Sequence, residues 1–118
     1  MNDNVMGVKG TAATVPFVQA PNAMLRDKRL SSDARFFLAY VASFHEGWRF
    51  YAATVQQETG FGRDKLRKVM AEAERFGALR IQQERKPDGT MGGQVIAITW
   101  APWAGLIAAE LMRAATGD

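Results

Sequence analysis

The chain of 118 residues contains no cysteine. That excludes disulfides, thiol nucleophiles and thiolate metal sites, and it fits a reducing compartment, so a cytoplasmic location is the expectation. Histidine is almost as scarce: His45 stands alone, which excludes a His-based metal cluster. It sits at an expected helix end beside Glu46, where a charge role suits it better than catalysis. No apolar run approaches the ~18 residues of a membrane span. The opening "MNDNVMGVKGTAATVPF" lacks the apolar core of a secretory signal. "GTMGG" lacks the Lys-Ser/Thr of a phosphate loop, and Ser31, Ser32 and Asp33 read as a capping group. The residues therefore point to no enzyme, no metal and no cofactor.

What remains is the composition of one globular domain, 47% hydrophobic and 23% charged. The net charge of +3 is small, but it is unevenly placed. Residues 63–86 hold eight Lys/Arg against four Asp/Glu, whereas the rest of the chain holds seven against eight. The whole positive excess lies in one short stretch, and such a local field attracts polyanions.

Residues 1–13 lack periodicity and read as a flexible arm. "TVPFVQAP" is β-prone between Pro16 and Pro21, and "NAMLRD" suits one helical turn. "LSSDARFFLAYVASFHEGW" predicts the central helix, capped at Ser31 or Ser32 and closed by Gly47. Its stripe is Ala34, Phe37, Leu38, Tyr40, Val41 and Phe44. "WRF" suits a stub of strand. A short helix over 51–59, closed by Gly60, leads through "FGR" to a second helix. That helix starts near Gly62 or Arg63 and stops at Gly77. "ALRIQQERK" and "QVIAITW" then form a hairpin about Asp88-Gly89. Trp48, Trp100 and Trp103 read as core and corner packing.

A short helix, a tight glycine-containing turn, a longer helix and then a hairpin are the parts of a winged helix-turn-helix. The fold class expected is α+β, mainly α, with a two- to three-stranded wing sheet and an extra C-terminal helix. Three segments are expected: the arm (1–13), the winged domain (14–100) and the C-terminal helix (101–118).

"LSSDARF", "EGWRF", "VQQETGFGRDKLRK", "AERFGALR" and a Gly-tipped hairpin together resemble the winged-helix domains of phage and plasmid replication initiators and of related stand-alone mobile-element proteins. The resemblance spans roughly residues 15–100. It implies double-stranded DNA binding without cofactor or catalysis. Gly62 stands where that family usually has Ser or Thr, and Ala78 where it usually has a large aromatic.

The helix "RDKLRKVMAEAERF" carries the chemistry. At ~100° per residue, Leu66, Val69, Met70, Ala73 and Phe76 share one face. Opposite them stand Asp64, Lys68, Ala71 and Arg75, with Arg67 on one flank and Lys65 on the other. Arg63, Lys65, Arg67 and Lys68 crowd the half that enters a major groove in recognition helices. Arg67 or Lys68 suits a guanine edge, and Ala71 a thymine methyl. Arg63 and Lys65 suit phosphates, as do Thr54 and Gln57 on the preceding helix. Arg85 and Lys86 at the hairpin tip suit a minor groove or backbone. The C-terminal helix, with Trp103, Leu106, Ile107, Leu111 and Met112 on one face, is expected to form a homodimer.

Three function classes follow: a sequence-specific double-stranded DNA binder of a phage or plasmid (a transcription regulator or replication-origin binder), a small winged-helix protein that blocks another protein, and a structural subunit acting through its last helix.

Overall fold

The structure, a computed structural model, describes residues 16–44, 48–89 and 91–117. The expected arm, His45 and the terminator Gly47 lie outside the described residues. The described chain is α+β and mainly helical. Its helices are α1 (Asn22–Leu25), α2 (Ser32–Ala42), α3 (Ala52–Thr59), α4 (Arg63–Phe76) and α5 (Ala104–Thr116). Strands β1 (Leu79–Arg85) and β2 (Met91–Ile98) pair antiparallel between α4 and α5.

α2 begins where Ser31 stops the chain: its hydroxyl oxygen accepts from the Ala34 amide at 3.1 Å. Ala34, Phe37, Leu38 and Val41 follow at helical spacing and are buried. Each large side chain of that stripe contributes ~1.5–3 kcal/mol by leaving water. α2 ends at Ala42, short of the expected Gly47. Phe44 has left the helix and stacks on Trp48, with centroids 4.0 Å apart and planes within 6°. Residues 48–50 accordingly form no strand, and the sheet of the described residues has two strands instead of a possible three. Trp48 also meets the edges of Tyr40 and Phe50, so aromatic packing holds this segment without a ladder. The segment after Pro16 is likewise no strand among the described residues, and Phe17 is exposed.

α3 contributes Val55 to the core and stops at Gly60, whose φ of 79° is left-handed. Phe61 is buried between Gly60 and Gly62 and meets the edge of Phe36 at 6.0 Å. The connection is thus short and pinned at its centre. α4 then buries Leu66, Val69 and Ala73. It closes at Gly77 (φ 90°), with the Ala78 amide bonded back to the Ala73 carbonyl at 3.0 Å. Ala78 is fully buried, and its carbonyl accepts from Thr99 N–H. The base of the hairpin is therefore tied to the end of α4.

In the hairpin Leu79 lies opposite Ile98 and Ile81 opposite Ile96, with an irregularity between Gln83 and Arg85. Leu79 is buried and Ile81, Ile96 and Ile98 pack against the core. The tip turns at Gly89 (φ 87°), whose amide bonds to the Lys86 carbonyl.

A 3₁₀ turn, Ala101–Trp103, leads into α5. Trp103, read both as core or corner packing and as part of the dimer face of the last helix, is a core residue with no exposed surface, so it is not available to that face. Its ring stacks on Phe76, and its indole N–H donates to Asp27 Oδ2 at 2.8 Å. Ile107 is half-buried against the same core, while Leu106, Leu111 and Met112 are exposed. No residue of α5 itself is fully buried. Among the described residues no helix is long and apolar enough to cross a membrane.

Candidate nucleic-acid interface

α4 separates two surfaces. Inward lie Leu66, Val69 and Ala73, with Met70 and Phe76 half-buried beside them. Outward, Asp64, Arg67, Lys68 and Arg75 are exposed, and so are Arg63 and Lys65 on the two flanks. Ala71 is half-buried on the outward side, between the longer side chains. Arg63, Arg67, Lys68 and Arg75 make no ion pair among the described residues.

The acidic residues of the helix are handled unequally. Glu72 turns towards α2: its Oε2 accepts from Ser31 N–H and its Oε1 from the Ser31 hydroxyl, each at 2.7 Å. Asp64, in the first turn, meets the positive end of the helix dipole. Glu74 is exposed near the C-terminal end. The outward N-terminal half therefore carries an excess of positive charge.

Lys65, on the flank as expected, has partners of its own. Its ammonium pairs with Asp33 at 3.3 Å and lies 5.7 Å from the centre of the Phe61 ring. It is tied across to α2 and stands apart from the outward row. An exposed pair of this kind is worth ~0–1 kcal/mol, so the tie positions more than it stabilises.

Thr54 and Gln57 are exposed on α3, next to the buried Val55. Both helices present bare N-termini: Tyr51 before α3 and Gly62 before α4 supply no side-chain cap. At Gly62 nothing lies within 4 Å of where a Cβ would stand. The first amides of α4 therefore have no side-chain acceptor from the cap residue.

At the hairpin tip Lys86 is exposed. Arg85 pairs through its backbone with Met91, and its side chain lies outside the described residues. The hairpin positions these two cations at one end of β1, away from the strand's base on α4.

Two positioning groups escaped the sequence. One is Glu72 on Ser31. The other is a cluster that locks the loop after α1 to the base of α5. There Arg29 holds Asp27 through Nη2 at 2.7 Å and Nε at 3.0 Å, and its guanidinium lies 4.9 Å from the Phe76 ring centre. The Arg29 hydrogen bonds, aided by the Trp103 N–H, hold the Asp27 carboxyl well below the usual range, and Asp27 in turn raises Arg29. Tyr40, whose hydroxyl donates to Glu58, is pushed up first by burial and then by that carboxylate. None of these groups forms a nucleophile–base arrangement, and no group of three or more metal-ligating side chains occurs among the described residues.

Comparison of the chain with protein-family models, with curated proteins and with solved structures finds no match.

Proposed function

We propose that the chain is a winged helix-turn-helix protein that binds double-stranded DNA in a sequence-specific way. In this reading α3 and α4 are the helix-turn-helix, α4 is the recognition helix and the β1–β2 hairpin is the wing. The protein is a regulator or origin binder of a phage or plasmid and works in the cytoplasm.

The observation that carries the reading is the row Arg67, Lys68 and Arg75, with Arg63 on its flank in the first turn. It is exposed, lacks ion-pair partners among the described residues and stands opposite a buried stripe on one helix. A helix with only a solvated outer face gains nothing from gathering cations in its first half. A helix that enters a groove gains phosphate and base contacts there. The uncapped α4 N-terminus adds amide donors for a phosphate. Lys86 on the hairpin is placed for backbone contact. Lys65, held by Asp33, serves to orient α4 and at most lends charge.

The test is a fluorescence-anisotropy titration with duplexes from the gene's own neighbourhood and with a scrambled duplex. Tight binding to one native duplex, lost in Arg67→Ala and Lys68→Ala, supports the reading. No binding at low salt rejects it and favours an acidic protein partner for the same row.

A further inference from the structure

We infer that α5 pairs with α5 of a second copy, antiparallel, about a two-fold axis through Ala108. The helix has thirteen residues, of which only Glu110 and Arg113 are charged. It is anchored at its base, where Trp103 is buried and Ile107 packs on the core. Beyond that point its large apolar side chains stay in water: Leu111 is 66% exposed and Met112 67%.

Helical geometry sorts the residues into two halves at ~100° per residue. Ile107, Glu110, Arg113 and Leu106 fall on one half, which includes the side facing the body. Ala104, Gly105, Ala108, Leu111, Met112 and Ala115 fall on the other. That second half carries no charge, and each of these six residues is exposed. Leu106 was expected to share a face with Leu111, yet it stands ~140° round the helix from it.

The order of sizes along the free half selects the occupant. Its first part is small (Ala104, Gly105, Ala108), and the large pair Leu111 and Met112 follows, with the small Ala115 beyond it. A parallel copy would set large against large and leave the small end empty. An antiparallel copy sets Leu111 against Ala104 and Met112 against Gly105, with Ala108 meeting Ala108 at the axis. Small residues let the backbones approach, and the large ones fill the space opposite them. The face is therefore complementary to itself, as a two-fold interface requires. Both charges stay on the other half, away from the seam. A seam between two short helices falls below the ~1,200 Å² of a standard interface, so the association belongs to the micromolar range.

The inference does not rest on DNA binding, but it bears on it. Phe76, the last residue of α4, stacks on Trp103 at the base of α5 with centroids 5.4 Å apart. A fixed α5 pair would therefore set the distance between two α4 helices.

Sedimentation velocity on the intact chain across the micromolar range tests this. The expected result is a mass that doubles with concentration. Leu111→Glu with Met112→Glu should give a folded monomer by circular dichroism, and Leu106→Glu should remain dimeric. The chain has no cysteine, so Ala108→Cys should form a disulfide-linked dimer on oxidation, and Leu106→Cys should not. A monomer throughout overturns the inference, whatever the protein does with DNA. So does dissociation by Leu106→Glu alone, or cross-linking through Leu106→Cys in place of Ala108→Cys.

Discussion

Glu72 completes the N-cap of a helix whose cap residue stands 41 residues before it: both its carboxylate oxygens bind Ser31, one through the amide and one through the hydroxyl. In a local capping box the third residue of the helix, a Glu or Gln, makes the bond to the cap amide. Here that residue is Ala34, which cannot. The acid comes instead from the middle of α4. One side chain therefore caps α2, fixes how α4 lies on it, and takes a negative charge off the outward face. We expect Glu72→Ala to cost about 1–2 kcal/mol, the loss of two charge-assisted bonds discounted for solvent at this edge. Glu72→Gln keeps an acceptor for the Ser31 amide and should cost less. Urea denaturation of the three proteins checks the order.

Asp27 makes stability depend on acid. Its carboxyl is held below its ordinary value by Arg29 first and Trp103 also. The folded state thus binds its proton less readily than the unfolded chain does. The resulting stabilisation is complete above the unfolded pKa of ~3.9 and is lost as pH falls from there through the depressed folded value. Melting temperature should fall below about pH 4, and part of that fall should vanish in Asp27→Asn. The variant keeps an acceptor for Trp103 but gives up the charge that holds Arg29. Equal acid slopes for the two proteins would remove Asp27 as the source.

Gly77 is where α4 must give way to β1. Its φ of 90° is disfavoured for any residue with a Cβ. Space is not the obstacle, since the nearest atom to an added Cβ is a Pro102 ring carbon at an ordinary 3.9 Å. Gly77→Ala should therefore lose ~1–2 kcal/mol from backbone strain alone, read as a lower denaturation midpoint at unchanged slope.

Local signals made much of this fold legible. Gly60 and Gly77 end α3 and α4, Ser31 starts α2, and Asp88-Gly89 turns the hairpin. Each acts through its own backbone preference, so each can be read without knowing what lies across the molecule. The outward row of α4 was legible for the same reason, because 3.6-residue periodicity places every side chain relative to its neighbours. What escaped depends on distant partners. Trp103 reads as part of an apolar helix face until Phe76 and Asp27 are brought to it. Lys65 reads as one more free cation until Asp33 meets it. The stub at residues 48–50 has strand-forming side chains, but Phe44 and Phe50 give Trp48 ring contacts that need no ladder.

The contrast between Lys65 and its neighbours gives the sharpest expectation for the DNA-binding proposal. Arg67 and Lys68 are exposed, free of ion pairs among the described residues, and on the outward side of α4. If either reads a base, its replacement by alanine should cost ~1–3 kcal/mol on the best site and relax specificity at one position. Lys65 is already paired with Asp33. Lys65→Ala should therefore change affinity for native and scrambled duplexes alike, and by less. Salt provides the second axis. Arg63, Arg67, Lys68, Arg75 and Lys86 are five exposed cations without an ion pair among the described residues. If all five neutralise phosphates or sit beside them, log affinity against log salt should have a slope near −4 to −5. Arg63→Ala, a phosphate holder in this reading, should flatten the slope by about 1. Lys65→Ala should leave it nearly unchanged. A slope that drops equally for Lys65→Ala and Arg63→Ala would mean that the Asp33 pair opens on DNA and that α4 docks by charge, with no preferred row.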